Sequence, residues 1–129
     1  MLKTVPHDTP EAIKVLVEQE LQALWKMRES KNVVNLIDYF EDDHSFYLVT
    51  QYKPTLRDYT NDSKAHHFDE NRVASFMLPI VKAVRRLHKK NVVHRNLCME
   101  TICTKMRKGG QIKVKLSCLD MAFCLKAGQ

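Results

Sequence analysis

Val92-Val93-His94-Arg95-Asn96-Leu97-Cys98-Met99-Glu100-Thr101-Ile102 is the stretch on which the reading of this chain turns. It follows a strongly amphipathic helical pattern that ends near Lys89 and leads into a β-rich run near Thr101–Thr104. Asn96 stands at its centre. General-base chemistry there would need an anionic oxygen to accept a proton. An amide has no basic site near neutral pH, so Asn96 can hydrogen-bond a hydroxyl but cannot take its proton.

Immediately upstream, Asp69 reads as the cap of the strongest helix, which runs to Lys89. Val73, Phe76, Met77, Ile80, Val81, Val84 and Leu87 recur along it as one apolar stripe, and Arg72, Lys82, Arg85, Arg86 and Lys89 fill the remaining surface. Pro79 lies inside it and removes one backbone hydrogen bond, at a cost of about 3 kcal/mol unless a kink absorbs it. Downstream come three short β runs: Thr101–Thr104, Ile112–Leu116 after a Gly109-Gly110 turn, and Met121–Leu125.

Toward the N-terminus, Met1–Val5 is a short apolar-basic start broken by Pro6 and Pro10. Thr9 reads as a helix cap, Pro10 suits the first helical position, and Glu11 sits in the first turn. Ile13, Leu16, Val17, Leu21, Leu24 and Met27 then mark an amphipathic helix to about Arg28. Two β-rich runs, Val33–Phe40 and Phe46–Tyr52, flank the acidic turn Glu41-Asp42-Asp43-His44, and Pro54 ends the second. Leu56–Tyr59 fits a single helical turn and Asn61–His67 a polar loop, in which His66-His67 read as solvated. There is no internal repeat and no low-complexity segment.

With 129 residues, 44% apolar and 28% charged, the chain has the composition of one packed domain. No apolar run approaches the roughly 18 residues of a membrane span, so a soluble chain is expected, with no membrane partner. Met1–Pro10 has no apolar core of the kind a secretory signal carries. Cys98, Cys103, Cys118 and Cys124 lack C-x-x-C spacing and read as small reduced thiols rather than a zinc site, pointing to a cytoplasmic, reducing location. Twenty-one basic against fifteen acidic residues leave +6. That permits an acidic partner or nucleic acid without demanding either. The long helix carries no aromatic stacking platform, so its cations read as a solvated face and nucleic acid is not the expected partner.

The opening stretch resembles the catalytic loop of a protein kinase, H-R-D-L-x-x-x-N. His94, Arg95 and Leu97 match. Asn96 replaces the catalytic Asp, Cys98 the loop lysine and Thr101 the metal-binding Asn. Lys115-Leu116-Ser117-Cys118-Leu119-Asp120-Met121-Ala122 resembles K-L-x-D-F-G-L-A, with Cys118 at the second metal ligand. An alternative register takes Asp120-Met121-Ala122 as that motif, but it breaks the spacing from the Lys-Leu strand. Leu2-Lys3 resembles the end of the V-A-I-K strand, and Glu20 the helix Glu that pairs with its lysine. Thr50 falls at the gatekeeper, Gln51 to Lys53 at the hinge, and Cys103 near the cleft floor. Leu24, Leu36, Leu119 and His94 match the stacked hydrophobic spine. Tyr39–Asp42 and Tyr47–Thr50 most resemble the calmodulin-dependent and calcium-dependent branch of the serine/threonine kinases.

The resemblance covers nearly the whole chain and implies an α+β, partial kinase-like fold. Residues 1–52 would be the smaller-lobe part and 53–129 the start of the larger lobe. No glycine-rich hairpin precedes Lys3 and nothing follows the D-F-G-like motif, so a truncated single domain is expected. It implies a pseudokinase: a non-catalytic module acting by protein contact as scaffold, assembly subunit or kinase regulator. Two other readings are a nucleotide-binding pseudoenzyme holding ATP through Lys3, Glu20, Thr50, Gln51, Lys53 and Cys103, and a kinase piece completed by another chain. No catalytic residue and no metal ligand is expected to function. The helix stripe, represented by Val73, Phe76, Ile80 and Val84, is expected to be covered by another protein chain, either a second copy or a larger assembly.

Overall fold

Residues 1–62 and 68–126 are described by a computed structural model; His66 and His67 lie outside them. Strands β1 (Leu2–Pro6), β2 (Leu36–Glu41) and β3 (Ser45–Thr50) form an antiparallel sheet in the order β1-β3-β2. Its tight β2–β3 turn is organised by Asp42, whose carboxylate accepts from the backbone N–H of His44 and Ser45, both at 2.8 Å. Helix α1 (Glu11–Lys26) buries Val17, Glu20, Ala23 and Leu24. Its N-cap is Pro10 with no side-chain capping bond, not Thr9. The Thr9 N–H instead turns back to Pro6 O at 3.1 Å. The strand expected from Val33 begins only at Leu36. Val33 and Val34 are core residues whose backbone is engaged elsewhere: Val34 N donates to Leu116 O at 2.9 Å, and Leu116 N to Asn32 O at 2.7 Å. These bonds tie the first half of the chain to the second.

After Pro54 the chain forms α2 (Leu56–Asp62), longer than the single turn expected. A reciprocal cap explains the extension. Asp58 accepts from Thr55 N and Thr55 Oγ1 at 2.8 and 2.7 Å, while Asp58 N donates back to Thr55 Oγ1. Those bonds hold the Asp58 carboxyl below its ordinary value.

Helix α3 (Glu70–Lys89) runs unbroken through Pro79 and is capped as expected, Asp69 Oδ1 accepting from Arg72 N at 2.7 Å. Asp69→Ala should lower stability by about 1 kcal/mol, read as a lower denaturant midpoint at unchanged slope. An unchanged midpoint would show that the cap does not hold this helix.

The apolar stripe of α3 divides in two. Phe76, Ile80 and Leu87 are buried and Val84 is half-buried, whereas Val73, Met77 and Val81 are exposed at 45, 48 and 56%; beside the stripe, Ala83 is buried and Leu78 is 59% exposed. Phe76 packs in a ring cluster with Tyr59 and Phe68, at centroid distances of 5.4 and 5.5 Å. Hence Phe76 and Ile80, expected at an interface, are filled from within this chain, and Val84 is packed against the core. Of those four expected interface positions only Val73 is exposed. The physical reason is that rows at i+4 on neighbouring sides of a helix are both apolar here, and the chain covers one.

Strand β4 (Val92–Val93) pairs with β7 (Phe123–Cys124), a shorter strand than the Met121–Leu125 run because Leu119–Met121 forms a 3-10 turn. Strands β5 (Ile102–Met106) and β6 (Ile112–Leu116) form a hairpin closed through Gly109 and Gly110 at φ +83° and +79°, a backbone that side chains rarely adopt. One face of the hairpin buries Ile102, Val114 and Leu116; the other pairs Cys103 with Lys115 and Lys105 with Lys113. A single core runs from Val5 and Leu48 through Leu24 to Leu87, Leu116 and Leu119. The architecture is the α+β, partial kinase-like fold that the sequence implies.

Candidate functional site

Strand β1 and helix α1 bring Lys3 and Glu20 together. Lys3 Nζ donates to Glu20 Oε2 at 2.6 Å, with the Glu20 carboxylate almost fully buried and Lys3 about a third exposed. A buried carboxylate needs such a partner, since leaving it unpaired is strongly destabilising. Thr50 is buried at the end of β3, its N–H bonded to Met1 O at 2.8 Å.

The loop after β4 is held by five linked hydrogen bonds. His94 is buried, with Nε2 2.9 Å from Ser117 O, and Asn96 N donates to His94 Nδ1 at 3.3 Å. That pairing assigns the proton to Nε2. Burial pushes the His94 imidazole below its ordinary value, opposed by the Ser117 carbonyl, so the ring is a neutral structural group near pH 7. Thr101 is the second fastener: its hydroxyl donates to Asn96 O at 2.8 Å and accepts from Cys98 N at 3.0 Å. Ser117 N then donates to Thr101 O at 2.9 Å, joining the loop to the end of β6. Arg95 and Cys118 adopt left-handed backbone at φ +63° and +54°, so the loop and the motif facing it are both locally strained.

At the three positions where the kinase resemblance expects a base and two metal ligands, the side chains are therefore an amide, a committed hydroxyl and a thiol. Magnesium is a hard cation that takes oxygen ligands, mainly carboxylates and phosphates. Asn96, Thr101 and Cys118 do not fit it. The four cysteines are all free, and burial pushes the Cys103 thiol above its ordinary value, which keeps it neutral.

Leu24, Leu119 and His94 are each no more than 2% exposed, and Leu36 packs against the same core. Gln51, Lys53 and Cys103 line a pocket of about 200 Å³ together with Lys105, Arg107, Lys113 and Lys115. Lys3, Glu20 and Thr50 do not line it. The six positions expected to touch nucleotide thus fall into two groups, a Lys3–Glu20 pair beside the sheet and a hinge-side pocket.

Two further contacts were not anticipated. Arg57 Nε donates to Glu100 Oε1 at 2.9 Å, anchoring α2 to the loop. Lys115 Nζ donates to Gln51 Oε1 at 3.0 Å, anchoring β6 to the end of β3. The signal for the second was available: basic residues at alternate positions either side of Gly109-Gly110 must share one hairpin face.

The protein kinase domain family model matches residues 1–128. Among curated relatives, a serine/threonine-protein kinase B of Synechocystis sp. is 36% identical over 84 residues, 65% of this chain and 15% of that protein. Aurora kinase B of Mus musculus is 33% identical over 97 residues, 75% of this chain and 27% of the relative. MAP kinase-interacting serine/threonine-protein kinase 1 of Xenopus tropicalis is 31% identical over 99 residues, 76% and 24% respectively. The chain spans between about a seventh and just over a quarter of these relatives' length. With its sheet, its Lys3–Glu20 pair, its His94 loop and a family match over nearly every residue, this chain belongs to the protein kinase domain family.

Proposed function

We propose that the chain is a pseudokinase module: it keeps the kinase fold and acts through protein contact instead of phosphoryl transfer. The observation that carries this is the loop Asn96–Thr101. Its frame is complete, with His94 buried and Thr101 bonded across it, yet it presents no carboxylate where a base is required. Burial supports the register behind this reading. Leu119 is fully buried, as the aromatic position of a D-F-G-type motif requires, whereas Met121, its counterpart in the alternative register, is 42% exposed. The subfamily resemblance to calcium-dependent kinases rests on the β2–β3 hairpin alone, and the proposal does not depend on it.

The contact surface is the uncovered row Val73, Met77, Leu78 and Val81 of α3. Contiguous apolar side chains of this kind mark interaction sites. The partner is a second copy of the chain or another component of a larger assembly. Sedimentation velocity tests it: the wild type should show mass above 15.1 kDa that rises with concentration, and Val81→Asp should return it to monomer. A strictly monomeric wild type, unchanged in mass and solubility by Val81→Asp, removes the basis for the contact.

The Lys3–Glu20 pair favours a second reading, a nucleotide-binding pseudoenzyme, because that pairing is what positions the lysine toward phosphates in the family. Its signature is a thermal shift with ATP that is the same with and without magnesium and is lost in Lys3→Met/Glu20→Gln, which removes the pair without leaving a buried charge. No shift with ATP would leave the contact module alone standing.

A further inference from the structure

Between Ile102 and Leu116 there are five basic residues and no acidic one, so the hairpin holds +5 of the chain's +6. The strand register concentrates this charge. Lys105 and Lys113 are directly opposite one another, Lys115 is opposite Cys103, and Arg107 continues the same face. Like charges placed directly across a strand pair are destabilising, so this arrangement works against the hairpin that carries it. Lys53 approaches from the segment after β3 and completes a pocket of about 200 Å³ lined by five cations.

Three of the five, Lys53, Lys113 and Lys115, are half-buried. Among the described residues, none of the five takes part in an ion pair; the carboxylates in ion pairs are those of Glu20, Glu41, Glu11 and Glu100 with other cations. Lys115 is fixed in place by two amide oxygens, Gln51 Oε1 at 3.0 Å and Asn35 Oδ1 at 3.4 Å. Amide oxygens orient an ammonium without neutralising it. Burial, with Lys113 and Lys53 nearby, accordingly pushes the Lys115 ammonium below its ordinary value. Asp58, whose charge reaches Cys103 at the pocket, is committed to Thr55.

We propose that this pocket is an anion site for an oligophosphate group, separate from the Lys3–Glu20 pair. The class of ligand follows from charge and size. A single negative charge would leave the five-cation pocket strongly positive, while a group bearing four or five offsets most or all of it. Lysine heads act as point-charge phosphate binders. The space is too small for a nucleic-acid duplex, and no aromatic residue lines it to stack a base. The ligand is a free oligophosphate or the phosphate tail of a nucleotide.

The test is calorimetric titration of the intact chain with sodium tripolyphosphate at constant ionic strength. The wild type should show saturable, one-site binding. Lys105→Gln/Lys113→Gln should bind at least roughly tenfold more weakly, and Lys3→Met/Glu20→Gln, which removes the pair without leaving a buried charge, should bind as the wild type does. Unliganded Lys105→Gln/Lys113→Gln should melt no lower than the wild type, because it relieves the like-charge pair; that result also certifies that it folds. Arg107→Gln, at an exposed position, provides a second variant with a smaller loss. In the Lys3→Met/Glu20→Gln background, ATP binding within a few-fold of tripolyphosphate identifies the free oligophosphate as ligand, and much tighter ATP identifies a nucleotide tail. Absence of saturable binding to the wild type, equal affinity in Lys105→Gln/Lys113→Gln, or loss of binding in Lys3→Met/Glu20→Gln overturns the proposal.

Discussion

Leu119→Ala is expected to destabilise the chain by about 2–5 kcal/mol, the range for a large-to-small change in a closed core. Leu119 is fully buried in the 3-10 turn against α1, in the same core as Leu24, which is 2% exposed. A domain of this size holds roughly 5–15 kcal/mol in all, so the melting temperature should fall by about 10 °C or more. Met121→Ala, two residues on and 42% exposed, should shift it little. The contrast matters beyond stability. Equal effects at the two positions would mean that the motif register is wrong and that Asp120, not Cys118, occupies the metal-ligand position.

Restoring the catalytic Asp by Asn96→Asp alone is expected to leave phosphoryl transfer at background. Loss of a general base commonly lowers a rate by about 10² to 10⁴, and loss of the metal ligands removes charge stabilisation in addition. Thr101 cannot serve as a ligand while its hydroxyl donates to Asn96 O, and the Cys118 thiol is a soft donor facing a hard cation. The triple variant Asn96→Asp/Thr101→Asn/Cys118→Asp repairs all three positions. It should bind ATP in a magnesium-dependent way even if transfer does not return. Radiolabel transfer and calorimetry on the single and triple variants check both halves. Activity in Asn96→Asp alone would show that the metals are held by other groups.

The elements with strong local codes were legible in the sequence. Asp69 and the periodicity after it fixed α3, the paired glycines placed the β5–β6 turn, and the spacing of Lys3 and Glu20 anticipated a contact that forms at 2.6 Å. What failed depended on tertiary partners. Val33 and Val34 have strand-forming side chains, but their backbone is engaged by Leu116 and Asn32–Leu116 bonding rather than by β3. Thr9 is a good cap in isolation, yet its N–H closes a turn on Pro6. The α3 stripe read as one surface because periodicity reports apolar positions without saying which side the rest of the chain covers. Tyr59 and Phe68, from outside α3, decide that Phe76 is inside while Val73 and Val81 are not. The basic face of the hairpin was written in plain alternation, but its meaning needed the register that sets Lys105 against Lys113.

The central claim is that this chain keeps the kinase frame without the chemistry. Its most direct test is transfer of labelled γ-phosphate by purified wild-type chain and by Lys3→Ala, each with and without magnesium. The account predicts that all four reactions are indistinguishable from buffer. Magnesium-dependent transfer by the wild type that Lys3→Ala abolishes would contradict it.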